Sequence, residues 1–113
     1  MKAPRDVSDY LLDMSNYAEK ACRLTEGMDY QSFEMDERTH LAVMRCLEVI
    51  GEAAKKIPAG FRSRHPQVPW VEAAGIRDVL VHDYIGVNLQ VVWKTIQDDL
   101  PPLRTALLAL LGS

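Results

Sequence analysis

Between Gly75 and Gly86 the chain reads G-I-R-D-V-L-V-H-D-Y-I-G. Arg77, Asp78, His82, Asp83 and Tyr84 sit there among Ile76, Val79, Leu80, Val81 and Ile85. A guanidinium, an imidazole, a phenol and two carboxylates thus share a short segment that is otherwise apolar. On an α-helix each residue turns by about 100°, so Arg77 and Tyr84 fall on one face and Asp78 and His82 are neighbours on another. Asp78 could then hold the imidazole in one tautomer and raise its pKa, which suits acid–base work. Arg77 and His82 lie about 140° apart on such a helix. They converge only if the arginine reaches across, if the helix distorts, or if two chains meet.

Arginine and histidine without a metal-ligand cluster suit a phosphodiester. Histidine takes a proton from a ribose 2′-hydroxyl or gives one to the leaving 5′-oxygen. Arginine binds the non-bridging oxygens and stabilises charge in the transition state. Reliance on the 2′-hydroxyl would select RNA over DNA. One good histidine per chain makes a symmetric dimer, with two, attractive. The same residues also suit a purely internal set, with Arg77 on Asp78 or Asp83 and His82 satisfied in the core. R-x-x-x-x-H alone is a weak pattern.

The elements that must position this segment are helical. Val7, Leu11, Met14, Ala18 and Ala21 recur at three- and four-residue steps and predict a helix from about Arg5 to Glu26, stopped by Gly27. Tyr10 and Tyr17 lie at the edge of that stripe, where tyrosine packs with its hydroxyl wet. Met28 to Met35 is expected as a link. Asp36 then caps a second helix running to about Ile57, with Val43, Leu47, Ile50, Ala54 and Ile57 as its core stripe, widened by Leu41, Met44 and Ala53. Gly51 inside that stripe costs about 1 kcal/mol against alanine, which is explained if another element approaches closely. Glu52 follows it, facing either solvent or the site. His40 is expected at the surface.

Pro58, Gly60, Pro66 and Pro69 predict a loop. Helix three is expected from about Trp70 towards Ile85, with a bend at Gly75, ended by Gly86. Asn88 caps helix four, about Leu89 to Leu100, and Pro101-Pro102 open a last helix, Leu103 to Leu111, that is apolar nearly all round. No strand alternation or repeat is present. The pattern predicts an all-α, up-down bundle of four to five helices, in one domain over residues 1–113. The apolar surplus of Leu107, Leu108, Leu110 and Leu111 suggests a dimer.

The formal net charge of −3 argues against a protein that coats nucleic acid non-specifically. A local basic stretch survives this test. No acidic residue occurs from Ala53 to Val71, while Lys55, Lys56, Arg62 and Arg64 fall inside it, beside His65. A solvated helix end and loop would have the same composition. No apolar run is long enough to span a bilayer, and the start lacks an apolar signal region, so a cytoplasmic protein is expected. Cys22 and Cys46 are expected as free buried thiols.

The ordered set of segments resembles the HepT-like toxins of the HEPN superfamily over nearly the whole chain. It comprises Val43-Met44-Arg45-Cys46-Leu47-Glu48-Val49-Ile50-Gly51-Glu52-Ala53, Pro69-Trp70, Gly75-Ile76-Arg77-Asp78, His82-Asp83-Tyr84, Val91-Val92-Trp93 and Asp99-Leu100-Pro101. The resemblance implies a HEPN-like, dimeric helical ribonuclease that needs no metal or cofactor. Arg77 and His82 would be its catalytic pair in a cleft between two copies, with Asp78 and Glu52 in support. It implies a toxin that cuts RNA, tRNA among the targets, silenced by a small MNT-type nucleotidyltransferase antitoxin that transfers AMP to Tyr84. Lys55, Lys56, Arg62 and Arg64 would then guide RNA. The other reading is a catalytically silent HEPN module that binds a nucleotide or docks such a nucleotidyltransferase.

Overall fold

The computed structural model describes residues 5–80 and 86–112, and every regular element in them is helical. Helix α1 spans Val7–Leu24 and α3 spans Glu37–Lys55, and these two form the centre of the bundle. Their core stripes meet as the spacing requires. Leu11, Met14, Ala18 and Ala21 are buried against Val43, Leu47, Ile50 and Ala54. The fully buried Met14, Val43, Leu47 and Ile50 each contribute about 1.5–3 kcal/mol. Leu41 does not widen the stripe as expected: it is exposed, and Met44 is half-buried.

Carboxylates start these helices. Asp6 and Asp9 form a reciprocal capping box on α1. Asp36 accepts the Thr39 N–H at 3.1 Å and caps α3, as its position predicts. Gly27 takes φ 79°, a left-handed conformation that suits glycine and turns the chain out of α1. The expected link after it contains a further helix, α2, Tyr30–Met35, capped by Asp29 on the Ser32 N–H. Phe33 of α2 is fully buried, and one such anchor holds a helix of less than two turns.

The expected loop after α3 also holds a helix, α4, Ala59–Arg64. The Arg62 Nε–H donates to the Ile57 carbonyl at 2.9 Å and ties α4 to the end of α3. Phe61 stacks on His65 with ring centroids 4.4 Å apart, and the Trp70 indole N–H donates to the His65 carbonyl. These contacts, invisible to periodicity, order a stretch rich in proline and glycine.

Helix α5 spans Trp70–Gly75 and passes directly into a 3-10 helix, Ile76–Leu80. The expected α-helix from Trp70 towards Ile85 is thus corrected over its second part, and residues 81–85 lie outside the described residues. Gly86, with φ 105°, follows that segment. Asn88 then caps α6, Leu89–Lys94, by accepting from the Gln90 and Val91 N–H groups.

Helices four and five of the sequence reading are one continuous rod. α6 runs through a π-helical turn, Thr95–Asp99, into α7, Leu100–Leu111. The Leu100 N–H reaches back to the Thr95 carbonyl, one residue further than in an α-helix. Pro101 and Pro102 explain the turn: each lacks an N–H, and its ring would press on the carbonyl four residues earlier. Widening the preceding turn moves those carbonyls aside without ending the helix.

α7 packs along α1 with Leu100, Leu103 and Leu107 buried. Val7 and Leu11 border Leu110 and Leu111 at one end, and Cys22 and Thr25 border Ile96 and Pro101 at the other, so the two helices run antiparallel. Tyr10 and Asp13 border Ala53 and Lys56, so α1 and α3 are antiparallel too. This is the expected up-down bundle. α5 and the 3-10 helix cover the remaining side of α3. Trp93 of α6 packs on Phe33, centroids 5.1 Å apart, and closes the end near α2. No described helix is long and apolar enough to cross a membrane.

Candidate active site

Arg77 is the second residue of the 3-10 helix and packs against α3 at Gly51. A Cβ at position 51 would lie 2.8 Å from the Arg77 Cβ, 2.9 Å from its Cγ and 3.0 Å from its backbone N. The glycine predicted to admit a close neighbour therefore admits the stem and backbone of this arginine. One residue on, Glu52 projects beside it, and Arg77 Nη1 donates to Glu52 Oε1.

The pair is not buried: the side chains are 34% and 50% exposed. At that exposure an ion pair contributes about 0–1 kcal/mol, so its effect on stability is small. What it fixes is direction. The stem is wedged against Gly51, and one end of the guanidinium is held by Glu52, its one hydrogen-bond partner among the described residues. A fork of fixed donors at a half-exposed position is what a phosphate requires.

Asp78 is exposed, and its Oδ2 would stand 3.7 Å from a Cβ at Gly75. Of Ile76 to Leu80 only Ile76 is buried, and the segment lies on the surface of α3. In a 3-10 helix residues three apart eclipse each other, so the α-helical wheel used above does not apply across Ile76–Leu80. The expected juxtapositions of His82 with Asp78 and of Tyr84 with Arg77, and the roles given to His82 and Tyr84, fall on residues outside the described ones.

The four basic candidates part company. Lys55 and Lys56 are exposed at the end of α3. Lys56 shares a groove with Glu52. Arg64 is exposed, its guanidinium 5.9 Å from the Phe61 ring. Arg62 is engaged with the Ile57 carbonyl, so a structural bond already accounts for it.

His40, expected at the surface, is half-buried edge-on to Phe33, and its Nδ1 is buried with no hydrogen-bond partner among the described residues. Cys46 is buried as expected and Cys22 only half-buried. Burial raises both thiol pKa values, and neither thiol has the environment of a nucleophile.

Arg5 and Arg45 have no role predicted from the sequence, and Tyr10 is expected only to pack. All three line the groove that Glu52 and Lys56 share. A signal was present: Arg45, Glu52 and Lys56 follow one another on α3 at seven and four residues, one helical face beside the buried stripe.

The site is thus a half-exposed arginine, oriented by Glu52, on a small antiparallel helical bundle. The Ribonuclease HepT-like family matches residues 14–110, and the chain belongs to that family. It is 43% identical over 100 residues to a protein of Thermococcus cleftensis named probable ribonuclease HepT, covering 88% of this chain and 91% of that one. It is 42% identical over 100 residues to a protein of Methanocaldococcus jannaschii named as a candidate RNase, covering 88% and 86%. A third relative, from Caldanaerobacter subterraneus and named in the same way, is 38% identical over 104 residues, covering 92% and 90%. No solved structure shows a significant match to the chain.

Proposed function

We propose that this protein is a metal-independent endoribonuclease, the toxin of a toxin–antitoxin pair, acting in the cytoplasm as one HEPN unit over residues 1–113. The observation that carries the reading is the Arg77 guanidinium, wedged on Gly51 and steered by Glu52 to a half-exposed position in a chain of the HepT-like family. Arg77 binds the non-bridging oxygens of the scissile phosphate and stabilises the charge that builds there. His82 acts as acid or base. The 2′-oxygen loses its proton to a base and attacks phosphorus. The P–O5′ bond breaks, and an acid protonates the leaving 5′-oxygen. The products are a 2′,3′-cyclic phosphate and a 5′-hydroxyl.

A homodimer brings a second Arg77/His82 pair to the cleft and so supplies both an acid and a base. Asp78 supports the pair. Tyr84 is the acceptor of AMP from an MNT-type nucleotidyltransferase antitoxin, and the added bulk and negative charge repel the RNA phosphate. tRNA is the substrate to assay first.

The test is tRNA cleavage by the purified protein in EDTA, before and after incubation with ATP and the nucleotidyltransferase. The expected result is cleavage that survives EDTA, disappears in His82→Ala, and is lost as an AMP-sized mass increase maps to Tyr84. No His82-dependent cleavage of tRNA or of other RNAs would overturn it in favour of a silent module.

A further inference from the structure

A groove of 220 Å³ opens between the first half of α1 and the second half of α3, lined by Arg5, Tyr10, Asp13, Arg45, Glu52 and Lys56. Val49 and Ala53 add an apolar lining. It meets Arg77 at a shared residue, because the Glu52 carboxylate that borders the groove is the one that holds the Arg77 guanidinium. We infer that this groove is the subsite for the nucleotide next to the scissile phosphate, taking its base on the Arg5–Tyr10 pair and its outer phosphate on Lys56. This rests on the ribonuclease reading above.

Three features carry the assignment. The first is charge. The two carboxylates of the groove are already matched, Asp13 to Arg5 at 2.8 Å and Glu52 to Arg77. Arg45 is paired with Glu48. Lys56 has no ion-pair partner among the described residues and is exposed, so it is the cation the groove offers to an anion. The second is spacing. Lys56 lies one turn beyond Glu52 on the same face of α3, about 6 Å along the axis. That is the scale of one nucleotide of extended single strand, so adjacent phosphates can meet Arg77 and Lys56.

The third is a flat surface. The Arg5 guanidinium lies 5.0 Å from the centre of the Tyr10 ring and is pinned by Asp13 and by the Asp9 carbonyl. The Arg5 side chain is half exposed and lines the groove. Guanidinium planes and aromatic rings both stack unpaired bases, with little regard to sequence. The apolar lining beside that pair suits a base and not a second phosphate.

The experiment uses the full chain and two readouts. Binding is read by fluorescence anisotropy with a labelled, 2′-O-methyl oligoribonucleotide that cannot be cut. Cleavage is read on matched RNAs carrying an abasic nucleotide at each position flanking the cut in turn. The expected result is that Tyr10→Leu weakens binding and raises KM about tenfold, with kcat within about twofold. One abasic position does the same to the wild type and adds nothing in Tyr10→Leu, while Tyr10→Phe behaves as wild type. Lys56→Gln, a change at an exposed site, lowers the slope of log affinity against log salt by about one.

Arg77-dependent cleavage with Tyr10→Leu and Lys56→Gln both at wild-type KM and salt slope would overturn the subsite and leave the enzyme reading intact. Binding that depends on Tyr10 and Lys56, with no cleavage by any form, would uphold the groove as an RNA site and overturn the enzyme reading instead.

Discussion

At the scale of single residues the account turns on Gly51. Within a helix, alanine normally stabilises by about 1 kcal/mol over glycine. Here the added Cβ would meet the Arg77 backbone N at 3.0 Å and its side-chain stem at less, and backbone does not yield as a flexible tip does. Overpacking of this kind costs about 1–3 kcal/mol, so the helix gain loses. Gly51→Ala should therefore lower urea-unfolding stability by up to about 2 kcal/mol net. Because it moves the arginine, it should reduce kcat for RNA by at least about tenfold, towards the 10²-fold of a 1 Å misplacement. A variant as stable and active as the parent would show that the contact is not tight. Glu52 makes a different prediction. Glu52→Gln keeps a hydrogen-bond acceptor for Arg77 and removes the charge, so it should leave stability within about 0.5 kcal/mol. Its kcat should stay above that of Glu52→Ala, which frees the guanidinium. Equal kcat for the two would argue against an orienting role.

At the scale of elements, the helices that carry the site begin at carboxylates. The Thr39 side chain and N–H hold the Asp36 carboxyl below its ordinary value, and the Ser32 N–H does the same for Asp29. A depressed folded-state pKa means the capping contribution is fully present above the unfolded value of about 4 and is lost as pH falls through the folded value. Asp36→Asn keeps a capping oxygen with no charge to titrate. The melting temperature of the parent should therefore fall more steeply than that of Asp36→Asn below about pH 4. Parallel curves would show that the cap does not titrate in that window. The long elements were legible in the sequence because they are periodic: the stripes of α1 and α3, the Asp36 and Asn88 caps and the Gly27 stop all appear as the spacing predicts. The short ones were not, because single tertiary contacts decide them. α2 is held by buried Phe33, and α4 by Phe61 and the Arg62 bond to Ile57. The rod from Leu89 to Leu111 was divided at Pro101-Pro102, since a π-helical turn that accommodates prolines leaves no mark in hydrophobic periodicity. Of the candidate site, Gly51 was legible as a glycine misplaced in a helix. The Glu52–Arg77 pair, 25 residues apart, needed the packing of the 3-10 helix on α3.

At the scale of the whole molecule, one core supports everything described. Ile50 lies in it fully buried, one residue before Gly51. Ile50→Ala should destabilise by about 2–5 kcal/mol in urea unfolding, the cost of lost burial plus a cavity. A loss below about 1 kcal/mol would mean that the core closes around the gap. The apolar rod does not bury itself completely in one copy: Leu107 is buried, Leu110 and Leu111 are half-buried, and Leu108 is 51% exposed. That partial exposure agrees with the proposed homodimer.

The central claim is that Arg77, on its Gly51 and Glu52 platform, is the catalytic group of a ribonuclease. The measurement that tests it most directly is single-turnover cleavage, in EDTA, of an oligonucleotide carrying one ribonucleotide at the cut. The parent is compared with Arg77→Ala, after circular dichroism has shown both to be folded. The account predicts cleavage by the parent and a loss of about 10²-fold or more in Arg77→Ala at saturating substrate. A folded Arg77→Ala that cuts within about twofold of the parent would contradict it.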